Sequence, residues 1–76
     1  MAVSIYTTPT CTYCRAAKDY LRQNRVPFNA YNVASDTRRA EEMLHKSGQM
    51  GVPVLDVNGR IIVGFNKSEI ERALHR

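Results

Sequence analysis

Cysteine is scarce in this chain. It has two in 76 residues, Cys11 and Cys14, three positions apart. A bridge between such close neighbours closes a loop too small to tie distant parts of a fold together. A disulfide framework is therefore excluded, and reactive thiols or half of a metal site remain. Histidine is equally scarce, limited to His45 and His75. Zinc asks for four ligands, and these two histidines lie much too far apart to form a zinc-finger pair. No metal site is expected, and both histidines read as solvated side chains on helix surfaces. Long apolar runs are missing as well: the longest unbroken stretch is three residues, so nothing is expected to span a membrane. The N-terminal segment has neither the basic start nor the apolar core of a secretion signal. Repeats and low-complexity segments are absent. One domain over residues 1–76 is expected, in the cytoplasm, where dithiols are kept reducible.

Negative charge is in short supply, leaving a net charge of +4. Arg15, Lys18, Arg22 and Arg25 recur at helical spacing and would form one basic stripe. Arg38, Arg39, Lys46, Arg60, Lys67, Arg72 and Arg76 are scattered. No aromatic side chains interleave with the stripe as a nucleobase-stacking platform would need. The stripe reads as a solvated helix face or a dock for an acidic partner protein. Nucleic acid is not expected as a partner, and the chain is expected to act as a monomer.

Residues 2–7 alternate Val3, Ile5 and Thr7 with Ser4 and Tyr6, the pattern of a strand. Thr8-Pro9-Thr10 breaks it. From Thr12 to about Arg25, Ala16, Ala17, Tyr20, Leu21 and Asn24 share one side of a helix. Val26-Pro27 closes that helix, and 28–33 alternate as a second strand. Ser35 or Asp36 can cap a second helix through about Ser47, with Ala40, Met43 and Leu44 inward and Gly48 as its stop. Residues 52–57 and 60–63 flank Asn58-Gly59, a pair suited to a type I′ hairpin turn. Asn66 followed by Glu69 resembles a capping box for a last helix ending near His75. The order is βαβαββα. The first two strands should be parallel and the last two antiparallel, giving an α/β fold with a four-stranded mixed sheet flanked by helices.

The two cysteines sit where the first strand hands over to the first helix. A sulfur at a helix tip faces the free N–H groups of the first turn and the positive end of the helix dipole. Both favour thiolate over thiol, and Arg15 and Lys18 add potential of the same sign. Positions i and i+3 on a helix are neighbours, so Cys14 falls within bonding range of Cys11 after a small adjustment. Cys11, nearer the tip, is expected to attack a disulfide, and Cys14 to resolve the mixed disulfide that forms. Inert structural cysteines, half a zinc site, and an iron–sulfur cluster bridged between two copies are the competing readings.

Gly51-Val52-Pro53 opens the third strand. Proline is acceptable at a strand's first residue, and X–Pro bonds are the ones that can be cis. A cis bond would turn the backbone of Val52 outward to pair with an extended substrate; a trans bond would make Pro53 a plain strand starter. Gly64 serves either a turn or close approach by a ligand. Phe65 beside it belongs to the core or to the substrate rim.

The segment from Ile5 to Cys14, with Gly51-Val52-Pro53 and Val63-Gly64-Phe65, resembles the glutaredoxin family over residues 3–74. The resemblance implies a thioredoxin-like fold, a cis Pro53, and dithiol–disulfide exchange through Cys11 and Cys14. It also implies a substrate or glutathione groove at Thr8, Tyr13, Val52, Pro53, Gly64 and Phe65. No tightly bound cofactor is implied; glutathione would be a co-substrate, and disulfide-containing proteins the substrates. The sequence departs from that family where the pattern has proline at Thr12, lysine at Thr8 and threonine at Gly51. After Gly64 it has Phe65-Asn66-Lys67, with a positive charge about where an acidic residue would meet the glutathione amino group. Gly64-Phe65 is similar to the loop of the small ribonucleotide-reductase redoxins, which take electrons from thioredoxin reductase. Their tryptophan-containing signature is absent, with Ile62, Val63 and Asn66 in its place. Weak activity with glutathione is the expectation.

Overall fold

The computed structural model describes residues 2–75, so the expectations for the His75 side chain and for Arg76 lie outside the described residues. The element order is the expected one: β1 (Val3–Thr7), α1 (Thr12–Gln23), β2 (Asn29–Asn32), α2 (Thr37–Ser47), β3 (Val54–Val57), β4 (Arg60–Val63) and α3 (Lys67–His75). The strands form one sheet in the order β2-β1-β3-β4. β1 pairs parallel to β2 and antiparallel to β3, and β3 pairs antiparallel to β4.

Both faces of the sheet are covered. On one face Val3, Ile5, Leu55, Val57 and Ile62 pack against Ala17 and Leu21 of α1 and Ile70 and Ala73 of α3. On the other, Tyr6 and Val54 meet Met43 of α2. This second layer buries the Tyr6 side chain fully. Its hydroxyl donates to Glu42, which also takes Arg39 at 3.0 Å and faces Lys46 at 3.7 Å. Lys46 continues the network to Asp56 at 2.6 Å. The bond from Tyr6 leads in holding the Glu42 carboxyl below its usual range, while burial pushes the Tyr6 phenol up.

Met43, not Leu44, is the residue α2 buries; Leu44 is 44% exposed. One residue along a helix turns the side chain roughly 100°, and with Met43 packed on Tyr6 and Val54, Leu44 turns toward solvent. Of the two candidate caps for α2, Asp36 does the capping, its Oδ1 accepting the Arg39 N–H at 3.2 Å. At α3 the Asn66 side chain accepts the Glu69 N–H at 3.2 Å. The Glu69 carboxylate turns to Arg60 and Arg72. The hairpin turn is as expected, with φ of 53° at Asn58 and 92° at Gly59. Asn58 also fastens the start of β1: its N–H donates to the Ala2 carbonyl and its Oδ1 accepts the Ala2 N–H, each at 2.8 Å. β2 and β3 are shorter than the expected 28–33 and 52–57. Pro53 has no N–H to give a ladder, so β3 starts after it.

α1 stops at Gln23, two residues before the expected end at Arg25. Asn24, expected on the apolar side, is instead an exposed C-cap whose Nδ2 donates to the Tyr20 carbonyl. Arg25 follows at φ 58°, its N–H donating to Arg22 O at 3.0 Å, and the Val26 N–H donates to Leu21 O at 2.9 Å. That pair of bonds is a Schellman closure, which normally places glycine where Arg25 stands. Arg25 thereby leaves the basic stripe. A left-handed conformation costs a side-chain-bearing residue about 1–2 kcal/mol, and glycine's freer unfolded state offsets part of the relief. Arg25→Gly should therefore stabilise the protein by about 0.5–1 kcal/mol, a rise of roughly 3–6 °C in thermal unfolding followed by circular dichroism. A lower melting temperature would show that the Arg25 side chain contributes something the backbone does not.

Candidate active site

The loop from Thr8 to Thr10 delivers Cys11 to the N-cap of α1, in an extended conformation with φ −89° and ψ 113°. Its Sγ takes the part that a serine or aspartate oxygen usually plays, accepting the Cys14 N–H at 3.1 Å. No acidic residue stands in the first turn to oppose negative charge on that sulfur. Cys11 is half-buried and open on one side, whereas Cys14, one turn deeper, is 1% exposed. Both thiols are free. Burial, and after it the hydrogen bond with the Cys11 sulfur, pushes the Cys14 thiol up to about 11. Cys14 is thus held protonated near neutrality, facing the sulfur it would bond.

The Val52 carbonyl lies 3.9 Å from Cys11 Sγ. The Val52–Pro53 bond is cis, as the resemblance implies, and Pro53 is buried. The Gly64 N–H donates to the Pro53 carbonyl at 2.8 Å, joining the loop after β4 to the segment beside Cys11. Gly64 has φ 82°, and a Cβ there would meet no protein atom within 4 Å. Its backbone conformation, and not tight packing within the chain, calls for glycine. Phe65 is half-buried on the core, its ring edge-on to Tyr20 at 6.1 Å between centroids. Lys67 lies over the other partner of that pair, 5.8 Å from the Tyr20 ring. Tyr13 projects from the first turn of α1 and is 68% exposed.

Thr8 lies in a pocket of about 200 Å³ that opens beside Cys11. Thr7, Pro9, Arg15, Lys18 and Asn32 complete its walls. Asn32 has no motif to mark it. The parallel pairing of β1 with β2 sets it opposite Thr7, at the strand ends nearest the thiols. Among the described residues, no three His, Cys, Asp or Glu side chains gather where they could hold a metal ion. With Cys14 buried and Cys11 half-buried, an iron–sulfur cluster would have to draw its other ligands from outside. No helix of the described residues is long and apolar enough to cross a membrane.

A mixed sheet covered on both faces, with a dithiol at the tip of its first helix and a cis proline against it, defines a thioredoxin-like thiol redoxin. The glutaredoxin family model matches residues 3–62. A glutaredoxin-like 8.6 kDa protein of the rubredoxin operon of Clostridium pasteurianum is 46% identical over 74 residues, covering 97% of this chain and 99% of that one. Glutaredoxin 3 of Escherichia coli is 36% identical over 62 residues, 82% of this chain and 75% of its own length. The solved structure of the glutaredoxin-like NrdH-redoxin from Escherichia coli has a TM-score of 0.85 at 29% identity, covering 95% of this chain and 93% of that one. The chain belongs to the glutaredoxin family and is a thiol–disulfide oxidoreductase.

Proposed function

We propose that Cys11 and Cys14 reduce disulfides in two exchanges, with Cys11 as nucleophile and Cys14 as resolver. The observation that carries this assignment is their asymmetry: an open sulfur capped by a backbone N–H, above a buried thiol held protonated. The Cys11 thiolate attacks one sulfur of the substrate, forming a mixed disulfide and releasing the other sulfur as a thiolate. Cys14 then gives up its proton, which the departing thiolate can take, and attacks Cys11 Sγ. The second substrate thiol leaves, and the Cys11–Cys14 disulfide remains. Two electrons from an external thiol donor restore the dithiol, so no tightly bound cofactor is required. The Val52 backbone, beside Cys11, receives the chain on either side of a protein substrate's cysteine. Pro53 and Gly64 hold that segment in place, and Tyr13 supplies an apolar contact at the rim.

Thioredoxin reductase is the donor favoured here over glutathione. Lys67 carries the wrong sign for the glutathione ammonium. A thioredoxin-like activity profile is on record for the NrdH-redoxin of Escherichia coli, which supports the same direction. The protein is proposed to work in the cytoplasm as a monomer. The test is NADPH-coupled disulfide reduction with thioredoxin reductase, set beside glutathione plus glutathione reductase. Turnover about tenfold lower in the glutathione arm is expected from the repelling charge of Lys67. Robust turnover with glutathione would reverse the choice of donor.

A further inference from the structure

Gly51 stands where the glutaredoxin pattern has threonine, and its backbone does not call for glycine. Gly48, Gly59 and Gly64 have positive φ, and Gly51 does not. What Gly51 provides is room. A Cβ on it would come within 3.2 Å of Gln49 Nε2 and 3.9 Å of Gln49 Cδ. The Gln49 carboxamide thus lies against the backbone at the place where a threonine side chain would begin. The turn that presents it is tied down locally. Gly48 caps α2 with φ 76°, and the Ser47 hydroxyl accepts the Gln49 N–H at 3.3 Å and faces the Gln49 carbonyl at 3.0 Å. The backbone of Gln49 is therefore spent within the turn, whereas its carboxamide has no hydrogen-bond partner among the described residues. Gln49 and Gly51 are both exposed, and the residue after Gly51 is Val52, whose carbonyl lies 3.9 Å from Cys11 Sγ.

We infer that Gln49 is a specificity-determining residue whose carboxamide hydrogen-bonds the backbone of an extended peptide substrate laid along Gly51 and Val52. This rests on the reading above, in which the Val52 backbone receives the substrate chain, and it names the favoured class: peptide and protein disulfides. A chain paired with Val52 as an added strand runs on past Gly51, the residue against which the amide lies. A carboxamide offers both donors and an acceptor, so it can meet a backbone group of the substrate whatever the side chain there. A small disulfide with no peptide backbone reaches Cys11 without this contact. The exchange itself is unchanged, because Gln49 binds and takes no part in bond making.

The experiment measures the second-order rate constant at which the prereduced protein reacts with two disulfides, so no electron donor is involved. One is the symmetrical disulfide of a blocked, uncharged peptide with alanine on either side of its cysteine. The other is 2-hydroxyethyl disulfide. Taking the ratio of the two cancels any general change in Cys11 reactivity. The peptide-to-small ratio should fall about three- to tenfold in Q49A, the worth of one neutral hydrogen bond. G51A should give a similar fall, because its methyl group pushes the amide aside, and Q49A/G51A should fall no further than Q49A alone. The small disulfide should react at the wild-type rate in all three variants, and their thermal unfolding should match the wild type, as exposed positions allow. An unchanged ratio in Q49A, or an equal fall on both disulfides, overturns the role of Gln49 and leaves the dithiol chemistry standing. A double variant in which the two single effects multiply shows that Gly51 acts independently of Gln49, and overturns the seat assigned to the amide. Failure of the wild type to reduce even the small disulfide overturns the dithiol reading, and the role of Gln49 with it.

Discussion

Cys11→Ser should reduce disulfide exchange to background, while Cys14→Ser should carry out the first attack and then stall as a mixed disulfide. The difference follows from position. A serine at the N-cap would still cap α1, so the fold should persist, but a hydroxyl cannot attack a disulfide at neutral pH. With Cys14 removed, nothing inside the chain can displace the substrate from Cys11, and release waits for an external thiol. Mass spectrometry of each variant after incubation with a disulfide substrate reads the outcome directly. The adduct mass should appear on the Cys14 variant alone. Equal loss of activity with no adduct on either would refute the assignment. A Cys14 variant that turns over freely with a monothiol donor would also place the burden of resolution outside the chain.

The second large effect is on stability. Leu21 is completely buried where α1 meets the sheet, among Ile5, Leu55 and Ile70. Leu21→Ala removes that packing and leaves a cavity between two rigid layers, at a cost of about 2–5 kcal/mol. A domain of ordinary stability holds only about 5–15 kcal/mol in total. The melting temperature should therefore drop by on the order of 15 °C. The same helix presents both thiols, so activity should be lost over the same temperature range in which the fold melts. A fall of only a few degrees, measured by calorimetry, would mean that neighbouring side chains close the gap.

What could be read from the sequence was mostly local. The Asn58-Gly59 turn, the Asp36 and Asn66 caps and the thiols at the start of α1 each depend on residues within a few positions, and the structure has them all. The misreadings share a different cause. Leu44 looked inward because both it and Met43 fit an apolar stripe; only the position of Tyr6 and Val54 decides between them. Asn24 and Arg25 continue a helical pattern by composition, and the helix ends before them because the Schellman bonds to Leu21 and Arg22 close it. The candidate site divides the same way. Cys11, Cys14 and Pro53 were visible as a motif, and Arg15 and Lys18 as part of a stripe. That the stripe's first two members face a pocket shared with Asn32 depends on parallel strand pairing between segments distant in sequence. The Tyr6–Glu42–Lys46–Asp56 network was invisible for the same reason.

The pair of hydrogen bonds between Ala2 and Asn58 has a practical side. It anchors the opening of β1 at the hairpin end of the sheet, and the five residues of β1 then run toward the thiols. Five extended residues span roughly 17 Å. An electrode tether, a dye or a fluorescent reporter attached ahead of Ala2 would thus sit at the far end of the molecule from Cys11. The redox couple could be wired or imaged from that end with its sulfur left free.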